Sequence, residues 1–452
     1  MASQDFQSAD QIRADFSRAM SAMYRSEVPL YGDLLDIVGQ VNRDFASTHP
    51  DAFGRASGDD LDRVAGERHG AIRLGKASEL SMMRRVMAVM GMHAVGYYDL
   101  SVAGVPVHST AFRPLSSTAL ARNPFRLFTS LLRLDLIEDA ALRREAAEIL
   151  DGREIYSQEV KRLVARFEAE GGLDRQAAGD FVGALLETFR WHGNAPVSRR
   201  QYARFHDAHR LIADVVCFGG PHINHLTPRT LDIDAAQAEM RRRGMRAKAV
   251  IEGPPRRHVP ILLRQTSFQA LEESIVFTGG ETGAHSARFG EIEQRGVALT
   301  PSGRALYDRL LDEAREQAGS QDAAYAERLA ALFRQFPDDE DRLRSEGLAY
   351  FRYSIAPQDA RRYSASLRGA TVGELMKSDI LGCTPITYED FLPVSAAGIF
   401  QSNLGGSEQR AYLAEAAISS FEQALGARVI DPFALYEEQQ AASIREVQRV
   451  IA

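Results

Sequence analysis

The sequence predicts an α+β protein in which a repeated sheet unit is surrounded by helices. One observation behind this prediction is an order of strand, helix, strand, strand between residues 68 and 112, which returns between residues 221 and 299. The other is the helical spacing of apolar residues through most of the remaining chain. Two such units can pair so that their strands form a curled central sheet around a shared cleft.

The chain begins with predicted helices, because apolar positions recur at helical spacing from Ile12 to Tyr24 and from Tyr31 to Phe45. A polar stretch rich in Gly and Asp follows, from Phe53 to Asp62.

The first unit opens with a predicted strand at Arg68–Gly75. Ser78–Met90 is a predicted helix, with Ser78 as a plausible N-cap. His93–Leu100 and Val105–Phe112 are predicted strands. From Asn123 to Arg210 the pattern is mainly helical, most clearly at residues 142–150, 158–170 and 175–191.

The second unit repeats this architecture rather than these residues. A strand is predicted at Pro221–Thr227, and a helix at Ile233–Arg243 stops at Gly244. Three further strands are predicted at Ala247–Ile251, Ile261–Leu271 and Ala287–Leu299. After Pro301 the sequence predicts helices to Phe336, a strand at Leu348–Ile355, a loop at Leu392–Asn403, and a helical tail from Glu408 with a break at Asp431–Pro432.

These patterns predict one compact body over residues 1–452, without a low-complexity linker. We expect a first β-rich unit at 63–115, a helical insertion at 123–212, a second β-rich unit at 215–300, and a mainly helical C-terminal part at 301–452 that carries an active-site loop near 388–403.

Composition limits the possible functions. The net charge of −7 argues against nucleic acid as a partner, because phosphate binding needs a basic surface. No apolar run reaches the roughly 18 residues of a membrane-spanning helix, and the N-terminus has no secretory pattern. Cys217 and Cys383 match no zinc-ligand spacing and are few for this length, which predicts a reducing compartment, most simply the cytoplasm.

Candidate metal ligands lie on three predicted strands. In the first strand, His69 and Arg73 share one face because strand side chains alternate, so a metal ligand and a carboxylate clamp can line one surface. In Pro221–Thr227, His222 and His225 face opposite sides of a regular strand, and His225 occupies the position in the second unit that His69 occupies in the first. A local turn can bring both inward, so the choice stays open.

The third segment, Arg288–Gly296, contains Glu291 and Glu293, which share one face, so alternation does not choose between them. Two histidines and one carboxylate form the facial triad of non-haem iron(II) oxygenases, which leaves positions open for a 2-oxo acid and O2. The ligand types alone also suit zinc, nickel or manganese. A loop at Tyr388–Gly398 offers the backbone N–H groups of Val394 and Ser395 to an anionic oxygen.

At these segments the sequence resembles the 2-oxoadipate dioxygenase/decarboxylase family, also called hydroxyglutarate synthases. The matching stretches are Glu67–Gly75, His222–Arg229, Phe289–Gly296 and Tyr388–Ser395. The resemblance implies a fold akin to the vicinal oxygen chelate enzymes, with two βαβββ-type units around a metal cleft and additional surrounding helices.

The resemblance also implies a site and a reaction. Fe(2+) would be held by His69, His225 and Glu293, Arg73 would bind the distal carboxylate of the substrate, and the Val394–Ser395 backbone would help to hold it. The implied reaction converts 2-oxoadipate and O2 to 2-hydroxyglutarate and CO2, a step of lysine breakdown. The alternatives are a metal-dependent isomerase or lyase of the vicinal oxygen chelate type, and a non-catalytic, metal-dependent dicarboxylate sensor.

Overall fold

The computed structural model of the chain describes residues 5–50, 61–268, 270–286, 288–316, 323–355, 374–375, 381–392 and 407–451. In chain order, the helices are α1 (Ala9–Glu27), α2 (Pro29–Thr48), α3 (Leu61–Gly66), α4 (Ala77–Val89), α5 (Ser117–Arg122), α6 (Ala140–Asp151), α7 (Gln158–Glu170), α8 (Arg175–Leu186), α9 (Arg199–Ala208), α10 (Arg210–Val216), α11 (Ile233–Arg242), α12 (Pro301–Glu316), α13 (Ala323–Leu332), α14 (Glu340–Ser345), α15 (Ser407–Leu425) and α16 (Pro432–Ile451).

The strands are β1 (Arg68–Leu74), β2 (His93–Asp99), β3 (Val107–Arg113), β4 (Arg126–Leu132), β5 (Asn194–Ala195), β6 (His225–Pro228), β7 (Leu263–Ser267), β8 (Glu273–Phe277), β9 (Thr282–His285), β10 (Glu291–Arg295), β11 (Phe351–Ile355) and β12 (Leu381–Pro385). The mixed α+β class predicted from the sequence is confirmed. In the described parts of the chain no helix combines the length and apolar character needed to cross a membrane.

The main sheet has the strand order β2-β3-β4-β1-β6 over the described residues. β1 is parallel to β4 and antiparallel to β6, so the first strand of the second unit joins the sheet of the first. Alternation divides the sheet between two hydrophobic cores: Ile72 and Leu127 face one core, whereas Phe128 faces the other. The face that contains Phe128 also carries the polar residues of the site.

The second unit does not continue this sheet as one curled layer. β10 pairs with β7 in an antiparallel two-stranded sheet, and an isolated parallel bridge between Arg229 and Glu293 connects it to the end of β6. β8 and β9 form a hairpin that β5 extends, and β11 pairs with β12. The described strands therefore form several small sheets, and β10 lies beside β6 where the units meet.

The N-terminal helices hold this junction in place. Tyr24 on α1 donates its hydroxyl to the carbonyl oxygens of Asn224, 3.0 Å away, and Phe289, 2.7 Å away. The Asn42 amide on α2 donates to the carbonyl of Arg229 at 3.1 Å and accepts from the backbone N–H of Leu231 at 2.7 Å. Both ends of β6 and the approach to β10 are thereby fixed, because buried backbone groups need such partners.

Several local predictions differ from the structure. The segment predicted to be helical from Asn123 begins with β4, whose residues are all buried; a short run that is buried on both faces lacks the alternation that marks a strand. Ser78 lies inside the first turn of α4, whose N-cap is Lys76. Ala247–Ile251, predicted as a strand, contributes a single bridge from Ala247 to Phe268.

Further differences concern one strand that is shorter than predicted and a hairpin that was not predicted. Pro221–Thr227 becomes regular only at His225, where β6 begins. The hairpin β8–β9 lies between two predicted strands and was not predicted. Most of the polar stretch from Phe53 to Asp62 and most of the predicted loop at Leu392–Asn403 lie outside the described residues.

Candidate metal centre

Two histidines meet on the polar face of the main sheet. His69 pairs with Thr227 across the β1–β6 ladder and Ala71 pairs with His225, so both imidazoles project from the same side of neighbouring strands. Their ring centroids are 5.3 Å apart and the ring planes are nearly perpendicular, at 89°. The exposed fraction is 1% for His69 and 5% for His225, so both rings are shielded from bulk water.

β10 adds a carboxylate to the two imidazoles. Glu291 Oε1 lies 3.2 Å from His69 Nε2 and 3.8 Å from His225 Nε2, and these three residues form a group that could hold a metal ion. The same oxygen accepts hydrogen bonds from Thr227 Oγ1 at 3.1 Å and from Gln265 Nε2 at 2.9 Å. These two donors fix the orientation of the Glu291 carboxylate toward the histidines.

Glu293 lies on the other edge of the His69 ring. Its Oε2 is 2.8 Å from His69 Nδ1, and Arg295 holds both carboxylate oxygens through Nε at 2.9 Å and Nη2 at 3.0 Å. Burial alone would raise the pKa of Glu293, but the Arg295 guanidinium and His69 outweigh burial, and the pKa falls to about 2. Glu293 is therefore an ionised carboxylate beside Nδ1, whereas Glu291 faces Nε2.

The two histidines are electrostatically different. Burial lowers the pKa of His69, but Glu293 and Glu291 outweigh burial and the net pKa lies above its ordinary value. For His225 burial prevails over the opposing charge of Glu291, and the pKa falls to about 4. His225 is thus neutral near pH 7, the state in which an imidazole nitrogen can bind a metal.

The donor set fits a metal ion. Two imidazole nitrogens and one carboxylate oxygen converge from three strands, a set suited to Fe(II) and to other divalent first-row metals. Within the described residues, the buried Nδ1 atoms of His69 and His225 have no aligned hydrogen bond, although His69 Nδ1 is at ion-pair distance from Glu293. Groups this buried normally have partners, so the bonding capacity of the His225 ring in particular is not filled by the described residues.

Aromatic rings and a buried arginine enclose the centre. Phe391 contacts the His69 ring edge-on, with centroids 4.9 Å apart, and Phe289 lies 4.9 Å from the His225 ring. Arg295 Nη1 donates to the carbonyl oxygens of Tyr388 at 2.9 Å and Asp390 at 3.0 Å. The Arg295 guanidinium thus connects Glu293 to the segment that leads into the predicted active-site loop. Val394 and Ser395, predicted to help hold the substrate, lie outside the described residues.

Arg73 lies on the same face of β1 as His69, and its guanidinium pairs with Asp214, a residue that no sequence motif indicates. Nη1 donates to Asp214 Oδ2 at 2.6 Å. Asp214 also lies 3.1 Å from His222 Nε2 and 2.9 Å from His285 Nε2. His222 therefore belongs to this second cluster, and the group around Glu291 contains His225.

The sequence carries little signal for Asp214 and His285. They come from α10 and β9, far apart in the chain, and neither lies in a motif with ligand spacing. Only the packing of α10 against β9 brings them together.

Comparison with known proteins identifies relatives over nearly the full length of the chain. The family model described as 2-oxoadipate dioxygenase/decarboxylase matches residues 16–403. The chain is 54% identical to the 2-oxoadipate dioxygenase/decarboxylase of Escherichia coli K12 over 438 residues, covering 97% of this chain and 98% of the relative. It is 52% identical to the protein of the same name from Pseudomonas putida over 454 residues, covering 98% of each.

A solved structure also resembles this chain over nearly its whole length. The crystal structure of the hydroxyglutarate synthase from Pseudomonas putida in complex with 2-oxoadipate superimposes with a TM-score of 0.91 at 49% sequence identity. The superposition covers 99% of this chain and 100% of the other.

Proposed function

This chain belongs to the 2-oxoadipate dioxygenase/decarboxylase family, and from that premise we propose that it converts 2-oxoadipate and O2 to 2-hydroxyglutarate and CO2 at an Fe(II) centre. The observation that carries the proposal is the convergence of His69, His225 and Glu291, with Arg73 on the same face of β1. The enzyme assignment rests on relatives matched over nearly the whole chain.

In this proposal His69 Nε2, His225 Nε2 and Glu291 Oε1 hold the metal. Glu293, which the family resemblance predicted as the ligand, instead lies beside Nδ1 and positions the His69 ring, a common arrangement for metal-bound imidazoles. Support comes from the distances: Glu291 lies near the Nε2 atoms of both histidines, whereas Arg295 holds both oxygens of Glu293. The ligand role of Glu293 remains the competing prediction.

The bound metal would supply open positions for the 2-oxo acid and the redox chemistry that O2 activation requires. The chain's own residues bind and orient the substrate. The Arg73 guanidinium holds the distal carboxylate with a planar, charge-assisted contact. Because Arg73 is four residues from His69 along β1, a dicarboxylate can lie along the strand with its 2-oxo end at the histidines.

The protein surroundings favour this chemistry in two ways. Phe391 and Phe289 cover the imidazoles and exclude water, which strengthens every charge interaction at the centre. Glu291 and Glu293 both have pKa values below the ordinary range, although burial acts in the opposite direction, so both carboxylates stay ionised near neutral pH. Such fixed charges keep the donor atoms in place without rearrangement.

The overall reaction balances without a second 2-oxo acid. One molecule of O2 supplies one oxygen atom to the new carboxylate and one to the new hydroxyl group, while the original carboxylate leaves as CO2. The substrate therefore provides the electrons that a separate cosubstrate would otherwise supply. We propose that this reaction serves lysine breakdown, as the family resemblance implies.

The finer architectural predictions belong to the same proposal. We propose that the units around 63–115 and 215–300 correspond to the paired units of a vicinal oxygen chelate fold, with β4 added to the first. β1 and β6, the opening strands of the two units, pair directly and carry His69 and His225, which supports this correspondence. The insertion at 123–212, the loop at Val394–Ser395 and the cytoplasmic location remain predictions.

The test is a turnover experiment with the full chain. The protein is loaded with Fe(II) under anaerobic conditions, 2-oxoadipate and O2 are added, and O2 uptake, CO2 release and the organic product are measured. We expect one O2 consumed for each CO2 and each 2-hydroxyglutarate formed. An isomerised product without O2 uptake would favour the isomerase or lyase alternative, and binding without turnover would favour the sensor.

A further inference from the structure

The Arg73 guanidinium is held by a buried cluster behind the proposed substrate site. Asp214 Oδ2 accepts from Arg73 Nη1 at 2.6 Å, while Oδ1 lies between His222 Nε2 and His285 Nε2 at 3.1 Å and 2.9 Å. His285 Nδ1 lies 2.8 Å from the hydroxyl of Tyr202. These contacts to Arg73, His222 and His285 use both oxygens of Asp214, so the carboxylate has little freedom to rotate or shift.

Aromatic packing fixes the two imidazoles. Trp191, the single tryptophan of the chain, stacks against His285 with an interplanar angle of 5° and meets His222 edge-on at 4.7 Å. Phe218 contacts both rings, at 5.7 Å from His222 and 4.7 Å from His285. The cluster is therefore a rigid support, since its members have little freedom to change rotamer.

Arg73 itself is only partly enclosed. Its side chain is 27% exposed, whereas that of Asp214 is 6% exposed. Among the residues that the structure describes, Asp214 provides the one hydrogen bond to this guanidinium, so the remaining N–H groups stay available for a ligand. Within the described part of the chain this arginine is anchored at one nitrogen, which leaves its other donors for the distal carboxylate of the proposed substrate.

Asp214, His222 and His285 also have the composition of a second metal site. The charge at the cluster argues against that function, because the Arg73 cation already occupies one oxygen of the single carboxylate. A divalent ion on the other oxygen would be repelled by the guanidinium in a buried setting, where such repulsion is strong. A support for Arg73 avoids this cost: His285 Nε2 is hydrogen-bonded to Asp214 Oδ1, and His222 Nε2 lies 3.1 Å from the same oxygen without an aligned hydrogen bond among the described residues.

We propose that Asp214, supported by His222 and His285, is a positioning residue that sets the distance between the Arg73 guanidinium and the metal centre and thereby selects the chain length of the 2-oxo dicarboxylic acid. The inference rests on the proposed function, because it assumes that Arg73 binds the distal carboxylate. A guanidinium held at one place accepts a distal carboxylate at one distance from the 2-oxo group, so acids one carbon shorter or longer pair poorly with it.

The first variant to test is Asp214→Asn, with Asp10→Asn as the matched control. Asp10 also pairs with a buried arginine, Arg13, at 2.7 Å, but on α1. We expect D214N to raise KM for 2-oxoadipate about tenfold with kcat within about threefold of wild type, because a loosened clamp weakens binding of the substrate and transition state alike. D10N should leave both constants at wild-type values.

Chain-length selectivity is the readout that a purely structural role would not change. We expect the differences in kcat/KM between 2-oxoglutarate, 2-oxoadipate and 2-oxopimelate to become smaller in D214N. Asp214→Glu keeps the charge but moves it, so this variant should recover affinity for 2-oxoadipate while changing the order or size of these differences. His285→Leu should act as a weaker D214N and His285→Gln should restore wild-type behaviour, which keeps the test valid if D214N folds poorly. Unchanged KM and unchanged ratios in D214N and H285L would overturn the inference.

Two further measurements separate this inference from its premise. Metal analysis of the Fe(II)-loaded protein should give one ion per chain, and a second ion lost in D214N would replace the inference with a second metal site. If the wild type does not turn over 2-oxoadipate, the proposed function fails. The positioning role can then still be tested by anaerobic calorimetry, which measures the affinity of the Mn(II)-loaded wild type and D214N for each of the three acids. Equal chain-length preference in wild type and D214N would refute it there as well.

Discussion

Glu293 Oε2 lies 2.8 Å from His69 Nδ1, on the opposite edge of the ring from the nitrogen that faces the other carboxylate of β10. One imidazole is therefore bordered by two glutamates, one near each nitrogen. In our proposal Glu291 binds the metal and Glu293 lies behind the ring, although strand alternation alone treats the two residues as equivalent.

The first prediction separates the roles of these glutamates. Glu291→Gln should reduce Fe(II) affinity more than about 100-fold, because it removes the anionic ligand, whereas Glu293→Gln should reduce affinity only about tenfold through loss of His69 orientation. Anaerobic titration with Fe(II) or Mn(II) measures both. If E293Q loses the metal and E291Q retains it, Glu293 is the ligand and our assignment is reversed.

The second prediction concerns Arg73. Arg73→Ala should lower kcat/KM for 2-oxoadipate about 100-fold while leaving one metal ion per chain, because the charge-assisted contact to the distal carboxylate contributes roughly 1.5–3 kcal/mol and does not involve the metal. Arg73→Lys should recover only part of the loss, since an ammonium cannot reproduce the planar fork. Loss of metal from R73A equal to its loss of activity would contradict the assigned role.

The third prediction concerns the pH dependence of metal binding. In the metal-free protein the carboxylates of Glu293 and Glu291 raise the pKa of His69 despite burial, so below that raised pKa a proton must leave before a metal can bind. Apparent metal affinity should rise up to about tenfold per pH unit below this pKa and level off above it. Calorimetry in buffers of different ionisation enthalpy should show the released proton, and a pH-independent affinity between about pH 6 and 7 would count against the prediction.

The fourth prediction is that folding stability also depends on pH through His225. Burial lowers its pKa to about 4 in the folded protein, below the ordinary value of 6.5, so the unfolded state binds more protons between these two values. The free energy of unfolding of the metal-free protein should therefore fall as the pH decreases from 6.5 to about 4.

The contribution of His69 has the opposite sign. Because its pKa is raised in the folded protein, His69 contributes stability that is present below pH 6.5 and is lost as the pH rises through the raised pKa. Thermal unfolding across this range, with His225→Asn as the comparison, measures the His225 contribution.

The fifth prediction concerns the buried pair Arg295–Glu293. Arg295→Leu should destabilise the fold by about 3–5 kcal/mol, because it leaves the Glu293 carboxylate buried without its guanidinium. The double variant R295L/E293L should recover much of that loss, since it removes both charges. Urea unfolding followed by circular dichroism tests both, with the exposed pair Arg162–Glu159 on α7 as the control: R162A should unfold at the wild-type midpoint. Equal destabilisation in R295L and the double variant would contradict an unpaired charge as the cause.

Much of the fold was accessible from the sequence because its elements have strong periodic patterns. The paired N-terminal helices, β1, α4 and β2 were predicted within a few residues of their observed bounds. Strand β4 was missed because it is buried on both faces, and a short strand of that kind cannot be distinguished from a buried helix by its pattern. The hairpin β8–β9 was missed because its register depends on partners elsewhere in the chain.

What the sequence determined by itself about the site is the set of local relationships. Alternation along β1 places His69 and Arg73 on one face, and the family motifs indicate the two imidazoles and a glutamate of Glu291–Arg295. These relationships lie within single strands or short stretches, so local backbone geometry is sufficient to predict them.

Only the tertiary structure decided the relationships between strands. The β1–β6 register brings His225 beside His69 and leaves His222 outside β6, where it meets Asp214. The position of β10 beside β6 then distinguishes Glu291 from Glu293, and the packing of α10 against β9 creates the support for Arg73. The physical reason is that side-chain alternation, with its period of two residues, shows which residues of one strand share a face but not how that strand pairs with another. A metal site depends on distances between atoms from strands that are far apart in the chain.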